Sequence, residues 1–312
     1  SSMFDNQAMG ISHFIREIGR GKQGARDLSR AQAHELMGLV LDGAVSDLAL
    51  GAFCVAMRIK GETPEEMAGF LDATHERLIC LPNTSNKPVL VLPSYNGSRR
   101  LPLLTPLLAL LLAREGWPVL VHGGNTEDQR VATADVMLAL GLPVLQQVRE
   151  LAAGEAVFAP TALLCSGLWR LLEVRRSVGL RNPGHSLVKL MNPVDGLSLR
   201  VASYTHPEYD ASMRGTLQLL QANAMLLRGT EGEPVTDFRR APHMLAMLNG
   251  VIEDNAEPAS NVVELMNLPN HLNAADTAQL IQNMLTGDTA IPLPLQLQVA
   301  KLSALAQRIH AP

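Results

Sequence analysis

Val89-Leu-Val-Leu-Pro-Ser-Tyr-Asn-Gly-Ser-Arg-Arg100 is an apolar run that breaks at a Pro/Asn/Gly turn and feeds a long aliphatic segment, Leu101 to Ala113. Four apolar residues bounded by turn residues read as a buried strand, and the longer segment reads as a helix. Strand, turn and helix in that order bring free backbone N–H groups and a helix N-terminus to one point, which suits an anion. Arg99 and Arg100 add positive charge there, although two adjacent arginines on a loop also fit a solvated surface.

Downstream, the same unit recurs. The pattern predicts a helix over Leu103 to Arg114, a strand over Val119 to Val121, a helix over Thr133 to Leu140, and strands at Val144 to Leu145 and Val157 to Ala159. It continues with a strand over Leu199 to Ser203, a helix over Ala211 to Ala222 and a strand over Ala224 to Leu227. Strands alternating with helices give a mostly parallel central sheet flanked by helices, with ligands at the carboxyl ends of the strands. Upstream, apolar spacing and caps predict helices only: Ile11 to Gly19, one capped by Ser29, one by Ser46, and one opened by Thr63-Pro64-Glu65-Glu66. The fold class is therefore α/β: a small all-helical N-terminal domain over residues 1–82 and a larger α/β domain over 83–312.

Composition agrees with this reading. A chain of 312 residues with 47% hydrophobic, 18% charged and only 4% aromatic residues describes a well-packed protein built on aliphatic helices rather than a β-sandwich. Cys54, Cys80 and Cys165 are far apart and odd in number, which points away from a disulfide framework or a zinc site and towards a reducing compartment. The first residues lack an apolar signal core, and no aliphatic run reaches about 18 uninterrupted residues. A soluble cytoplasmic protein without membrane contact is expected.

The net charge of −4 argues at first against a polyanionic partner, but charge is unevenly spread. Between Leu168 and Arg200 the basic residues Arg170, Arg175, Arg176, Arg181, Lys189 and Arg200 face only Glu173 and Asp195, a local net of +4. From Gly229 to Ala300, nine acids face two bases, a local net of −7.

Val45-Ser-Asp-Leu-Ala-Leu-Gly-Ala-Phe-Cys-Val-Ala-Met-Arg-Ile-Lys-Gly-Glu-Thr-Pro-Glu-Glu-Met-Ala-Gly69 closely resembles the small helical domain of the anthranilate phosphoribosyltransferases, glycosyltransferase family 3, whose fold is shared with pyrimidine nucleoside phosphorylases. The resemblance continues through Val119-Leu-Val-His-Gly-Gly-Asn125, Val174-Arg-Arg-Ser-Val-Gly-Leu-Arg181, Met191-Asn-Pro193 and Leu227-Arg-Gly-Thr-Glu-Gly232. It covers most of the chain in the same order. It implies that helices from about 168–193 join the small domain, and that the protein is a homodimer through that domain.

The family's transferases hold phosphoribosyl pyrophosphate on a Gly-Thr-Gly-Gly-Asp donor loop, where this chain has Pro93-Ser-Tyr-Asn-Gly97. Two of three glycines are gone, and Tyr95 adds bulk where backbone would approach a pyrophosphate. The family's Asn-Ile-Ser-Thr segment reads Leu103-Leu-Thr-Pro106, leaving Thr105 as the hydroxyl, and a serine-rich phosphate segment reads Asp128-Gln-Arg-Val131. The family's acidic magnesium pair falls on Pro234 and Val235 of Gly229-Thr-Glu-Gly-Glu-Pro-Val235, which offer no oxygen side chain. Glu231 or Glu233 would have to substitute. Arg176 matches an arginine that contacts the anthranilate carboxylate, and His122 and Asn125 fall in the matching pocket segment. A histidine after a buried strand is more often structural than catalytic.

Arginines stand where this chemistry is lost. Arg99 and Arg100 lie at the donor loop, Arg130 in the former serine-rich segment, and Arg170, Arg175, Arg176, Arg181 and Lys189 in the helices assigned to the small domain. Arginine forks bind phosphate without reading sequence. A divergent branch of the family, the YbiB-type proteins, resembles this chain in its broken donor and metal motifs and is associated with nucleic acid. The expectation is a non-catalytic homologue that binds DNA or RNA backbone through these residues, with no catalytic residues, no cofactor and no metal. The alternative is a phosphoribosyltransferase or nucleoside phosphorylase with altered substrate, using Thr105, His122, Asn125 and Arg176, with magnesium on Glu231 or Glu233.

Overall fold

The computed structural model describes residues 10–253 and 266–311. The chain divides into two compact units, one formed by the chain up to Ile79 with Leu164–Met191, the other by Cys80–Leu163 and the chain from Asn192 onward.

The helical unit opens with α1 (Ser12–Ile18), α2 (Arg30–Leu41), α3 (Asp47–Lys60) and α4 (Pro64–Arg77). The caps lie where the sequence puts them. Ser29 forms a capping box with Gln32, the Ser46 hydroxyl accepts from the Ala49 N–H, and Thr63 forms a box with Glu66 while Pro64 occupies the first turn, each satisfying N–H groups that a helix start leaves orphaned. Inside, Phe53 and Phe70 meet edge to face at 6.1 Å among fully buried Leu36, Met37, Met57 and Leu71.

The second unit begins with β1 (Leu81–Asn83), β2 (Val89–Ser94), α5 (Thr105–Arg114), β3 (Val119–Gly123), α6 (Thr133–Ala139), β4 (Ala156–Pro160) and the short α7 (Thr161–Leu164). The chain then supplies α8 (Ser166–Val178) and α9 (Pro183–Leu187) to the helical unit, whose core includes buried Leu168, Leu171 and Leu172. It returns through β5 (Val194–Gly196), β6 (Ser198–Tyr204), α10 (Asp210–Leu219), β7 (Ala224–Thr230), β8 (Glu233–Thr236), β9 (Met244–Leu248), β10 (Val251–Ile252), α11 (Ala274–Thr286) and α12 (Leu293–Gln307).

The main sheet has the order β10-β9-β7-β6-β2-β3-β4, with β8 on β7. Pairings from β7 through β4 are parallel, and β8, β9 and β10 form an antiparallel side. A separate parallel pair joins β1 to β5. Strand β2 lies in the middle of the sheet, and every residue in it is buried. Pro93 is tolerated there because the ladder to β6 stops at Val91, so its missing N–H leaves no gap in that ladder.

The strand expected at Val144 to Leu145 reduces to a single bridge, Val144 to Phe158, because Pro143 precedes it and cannot donate. Helix α5 starts at Thr105 rather than Leu103, with Pro106 in its first turn fixing the start. The antiparallel strands β8 to β10 and the helices α11 and α12 are additions to the elements read from sequence. Arg200, counted within the basic segment, is buried in β6, and burial pushes its pKa down to about 10. Three acids of the acidic segment, Asp254, Glu257 and Glu264, lie outside the described residues.

Candidate functional site

The carboxyl end of β2 does carry an anion, and the anion belongs to the chain. The hairpin between β7 and β8 turns at Glu231 and Gly232, with φ of 52° and 88°, the two positive values of a type I′ turn. From it Glu233 enters the loop after β2. Its Oε2 accepts from the N–H groups of Asn96 at 3.2 Å and Gly97 at 3.1 Å. Its Oε1 accepts from the Ser94 hydroxyl and, at 2.8 Å, from the Thr105 hydroxyl. Thr133 hydrogen bonds to Ser94 and approaches Oε1 at 3.4 Å. With Ser94 donating to the carboxylate, Thr133 must donate to Ser94, so the carboxylate has four donors on about four lone-pair positions. Glu233 is 1% exposed. Burial pushes its carboxyl above the usual carboxylate range, while these donors pull against that shift.

Gly97, at the end of the segment matched to the donor loop, is required twice. Its φ is 65°, and a Cβ there would strike the Val131 carbonyl, where Ser98 and Val131 exchange backbone bonds at 3.0 and 2.9 Å. Gly232 is equally constrained, since a Cβ would collide with the Asn96 amide.

Three residues further along the loop, Glu231 closes a second set of donors. Its Oε1 accepts from Arg100 N at 3.2 Å and Leu101 N at 2.6 Å, and its Oε2 from Arg99 N at 3.1 Å and Arg100 N at 3.2 Å. Consecutive N–H groups converging on one carboxylate form a nest. Here the surroundings are open: Glu231 is partly exposed, and the side chains of Arg99 and Arg100 are exposed. Arg130 donates to the Glu231 carbonyl at 3.3 Å. Arg239 is held protonated first by its bond to Asp237 and also feels the Glu231 charge. Arg240 pairs with Asp237 at 3.2 Å.

Below the loop runs a buried polar chain. Tyr95 OH lies 2.7 Å from His122 Nδ1 and 2.7 Å from Thr161 Oγ1, and Thr161 donates to the Gly123 carbonyl at 3.1 Å. A hydroxyl has one hydrogen, so Tyr95 donates to Thr161 and His122 must donate from Nδ1. That leaves Nε2 as an acceptor, and it is buried without a partner. Burial drives the imidazole pKa from 6.5 to about 3, so His122 is neutral, and the same burial pushes the Tyr95 phenol up.

Magnesium does not fit these residues. Pro234 and Val235 stand at the acidic positions and are buried, Glu233 has a donor for each lone-pair position, and Glu231 is held by the three N–H groups of Arg99, Arg100 and Leu101. Among the described residues no group of three or more His, Cys, Asp or Glu is placed to hold a metal ion. The assignment of metal to Glu231 or Glu233 under the transferase alternative is corrected accordingly. Thr105 is fully buried and bonded to Glu233, and Asn125 is exposed, with its side chain accepting from Glu127 N at 3.2 Å.

The remaining cations belong to the helical unit. Arg170 donates to the carbonyls of Val40 and Leu41 at the end of α2, at 3.4 and 3.2 Å. Arg176 is exposed and pairs with Glu173 at 2.7 Å. Arg175, Arg181 and Lys189 are partly exposed. The structure thus puts Arg99, Arg100 and Arg130 around one loop of the α/β unit and the other five in the helical unit. Sequence reading missed Arg239 and Arg240, hidden as the two bases of an acidic segment. It also missed the plugging role of Glu233, for which the signal was two acids flanking a glycine directly after a strand.

Residues 12–77 match the helical bundle domain of the glycosyl transferase family. The chain is 38% identical over 301 residues to an uncharacterized protein of Escherichia coli K12, YbiB, covering 94% of this chain and 93% of that one. It is 27% identical over 297 residues to the anthranilate phosphoribosyltransferase of Anaeromyxobacter dehalogenans, covering 90% and 84%. In structure it matches the anthranilate phosphoribosyltransferase of Thermus thermophilus with a TM-score of 0.73 at 22% identity, over 95% of this chain and 88% of that one. The Saccharomyces cerevisiae enzyme in complex with PRPP and Mg matches at 0.71 and 14% identity, over 96% and 89%. With its helical bundle, its mostly parallel sheet and these relatives, the chain belongs to the anthranilate phosphoribosyltransferase-like glycosyltransferase family 3, in the branch that holds YbiB.

Proposed function

We propose that this protein is a non-catalytic member of its family that binds the phosphate backbone of DNA or RNA without base specificity. One observation carries the reading: the loop position that would receive a donor pyrophosphate is filled by the buried Glu233 carboxylate. A pyrophosphate there would meet a sealed carboxylate, and Pro234 and Val235 offer no oxygen side chain to hold a metal against the repulsion. What the same loop offers to solvent is positive charge, Arg99 and Arg100, with Arg130, Arg239 and Arg240 nearby. Arg170, Arg175, Arg176, Arg181 and Lys189 give the helical unit a basic segment of its own.

A salt titration of oligonucleotide binding tests this. Neutralising several phosphates produces a steep linear fall of log K with log salt, with a slope of about −0.7 per phosphate on single strands. Arg99→Glu with Arg100→Glu should weaken binding roughly ten-fold or more, equally for all sequences. A flat salt dependence, or no binding at low salt, would sink the proposal.

The homodimer belongs to the same proposal. Leu48, Ala52, Val55 and Ile59 follow one another at helical spacing along α3, and Leu48 is 87% and Ile59 72% exposed. Large apolar side chains in a stripe favour a partner of the same kind. Light scattering of Leu48→Asp with Ile59→Asp should report a monomer where the parent protein is a dimer.

A transferase with altered substrate has one observation in its favour, the unpaired Nε2 of His122. It requires the Glu233 plug to leave, and saturable, metal-dependent binding of phosphoribosyl pyrophosphate would support it.

A further inference from the structure

We propose that the nest of N–H groups at Arg99, Arg100 and Leu101 is a phosphate site that Glu231 occupies in the free protein, and that a nucleic-acid phosphate displaces Glu231 from it. The proposal rests on the nucleic-acid reading and names the contact that reading uses. Glu231 meets three consecutive N–H groups at 2.6 to 3.2 Å, the geometry by which backbone donors also hold a phosphate oxygen. The carboxylate is a stand-in of the right charge on the right donors.

Two features separate it from Glu233. First, Glu231 is partly exposed and two of its three donors, at Arg99 and Arg100, lie at the surface with Leu101 buried behind them, so an incoming anion can take the donors as the carboxylate moves into water. Second, the surroundings are cationic. Arg99, Arg100 and Arg130 lie at this turn, Arg239 is close enough to feel the Glu231 charge, and Arg240 joins Arg239 on Asp237. Arg239 and Arg240 thereby become binding residues although they fall in the most acidic part of the sequence.

Displacement would also make the site selective for a polyanion. An intramolecular carboxylate is present at high effective concentration, so a single free phosphate competes poorly. A strand with several phosphates engages the nest and the neighbouring arginines together, and releases counterions from each. Glu231 then sets a threshold that small phosphates do not cross.

The test compares the parent protein with Glu231→Gly, which suits the positive φ of the turn, and with Glu231→Gln, which keeps the shape and removes the charge. Binding of a fluorescein-labelled oligothymidylate is read by anisotropy across a salt series, and binding of inorganic phosphate by calorimetry. Both variants should bind the oligonucleotide roughly five-fold tighter with the salt slope of the parent kept, because the same phosphates are engaged once Glu231 has left the nest. Inorganic phosphate should bind Glu231→Gly and leave the parent protein silent. Oligonucleotide binding that is unchanged or weaker in both folded variants would overturn the displacement proposal alone. A parent protein with no oligonucleotide affinity would overturn the nucleic-acid reading as well. If inorganic phosphate binds the parent as well as the variant, the threshold role of Glu231 is wrong.

Discussion

The loop after β2 has an inner half, Ser94 to Gly97, and an outer half, Ser98 to Leu101, and one hairpin sends a glutamate into each. Glu233 and Glu231 are two residues apart, and both rest on backbone N–H groups of the loop. The inner half is sealed: Glu233 is 1% exposed, Ser94 and Thr105 are committed to it, and Tyr95 packs below against His122. In the outer half Arg99 and Arg100 open onto solvent. Backbone N–H donors from one loop therefore have two outcomes. Burial turns the inner anion into part of the fold, whereas exposure leaves the outer one exchangeable.

The comparison breaks most readily at Glu233. Glu233→Ala removes the acceptor of two hydroxyls and two N–H groups in a buried place, and should cost on the order of 5 kcal/mol in chemical denaturation. A loss within about 1 kcal/mol would mean that the carboxylate does not hold the inner half together.

Acidification comes next, and in the inner half it acts through His122. His122 is neutral in the fold with its pKa lowered from 6.5 to about 3, so between those values the unfolded chain binds a proton that the folded chain refuses. Stability from this group is complete above pH 6.5 and is lost as pH falls towards 3. The drop amounts to roughly 5 kcal/mol at most, and His122→Gln should flatten that part of the acid limb. A limb of unchanged slope would place the acid sensitivity elsewhere.

Gly232 links the halves. Gly232→Ala demands a side chain at φ 88° and against Asn96, at a cost of about 2 kcal/mol measured by thermal unfolding. The smallest effect belongs to Glu231→Gln, below about 1 kcal/mol, since water replaces what the carboxylate supplied. Equal losses at 231 and 233 would erase the distinction between the halves.

Much of this architecture was legible in the sequence, and the reasons are local. Ser29, Ser46 and Thr63-Pro64 mark helix starts because caps act within a few residues, and the β2 stretch announces a strand, a turn and a helix by apolar run and glycine. The elements after Ala224 were read only in part: Met244 to Leu248 is apolar without alternation, and its antiparallel pairing to β7 depends on a partner strand far along the chain. The plug was hidden for the same reason. Glu233 meets Ser94 and Thr105 across more than a hundred residues, and no spacing rule connects an acid on one hairpin to the N–H groups of a distant loop. Without that contact, Glu231 and Glu233 read as candidate metal ligands, and the loop reads as open to an external anion.

The central claim is that the inner half is closed to the family's pyrophosphate donor. Calorimetry of the intact protein with phosphoribosyl pyrophosphate and magnesium tests it most directly. The account predicts no saturable heat with or without the metal. Saturable binding that requires magnesium would show that Glu233 yields its place to the donor, and would contradict the account.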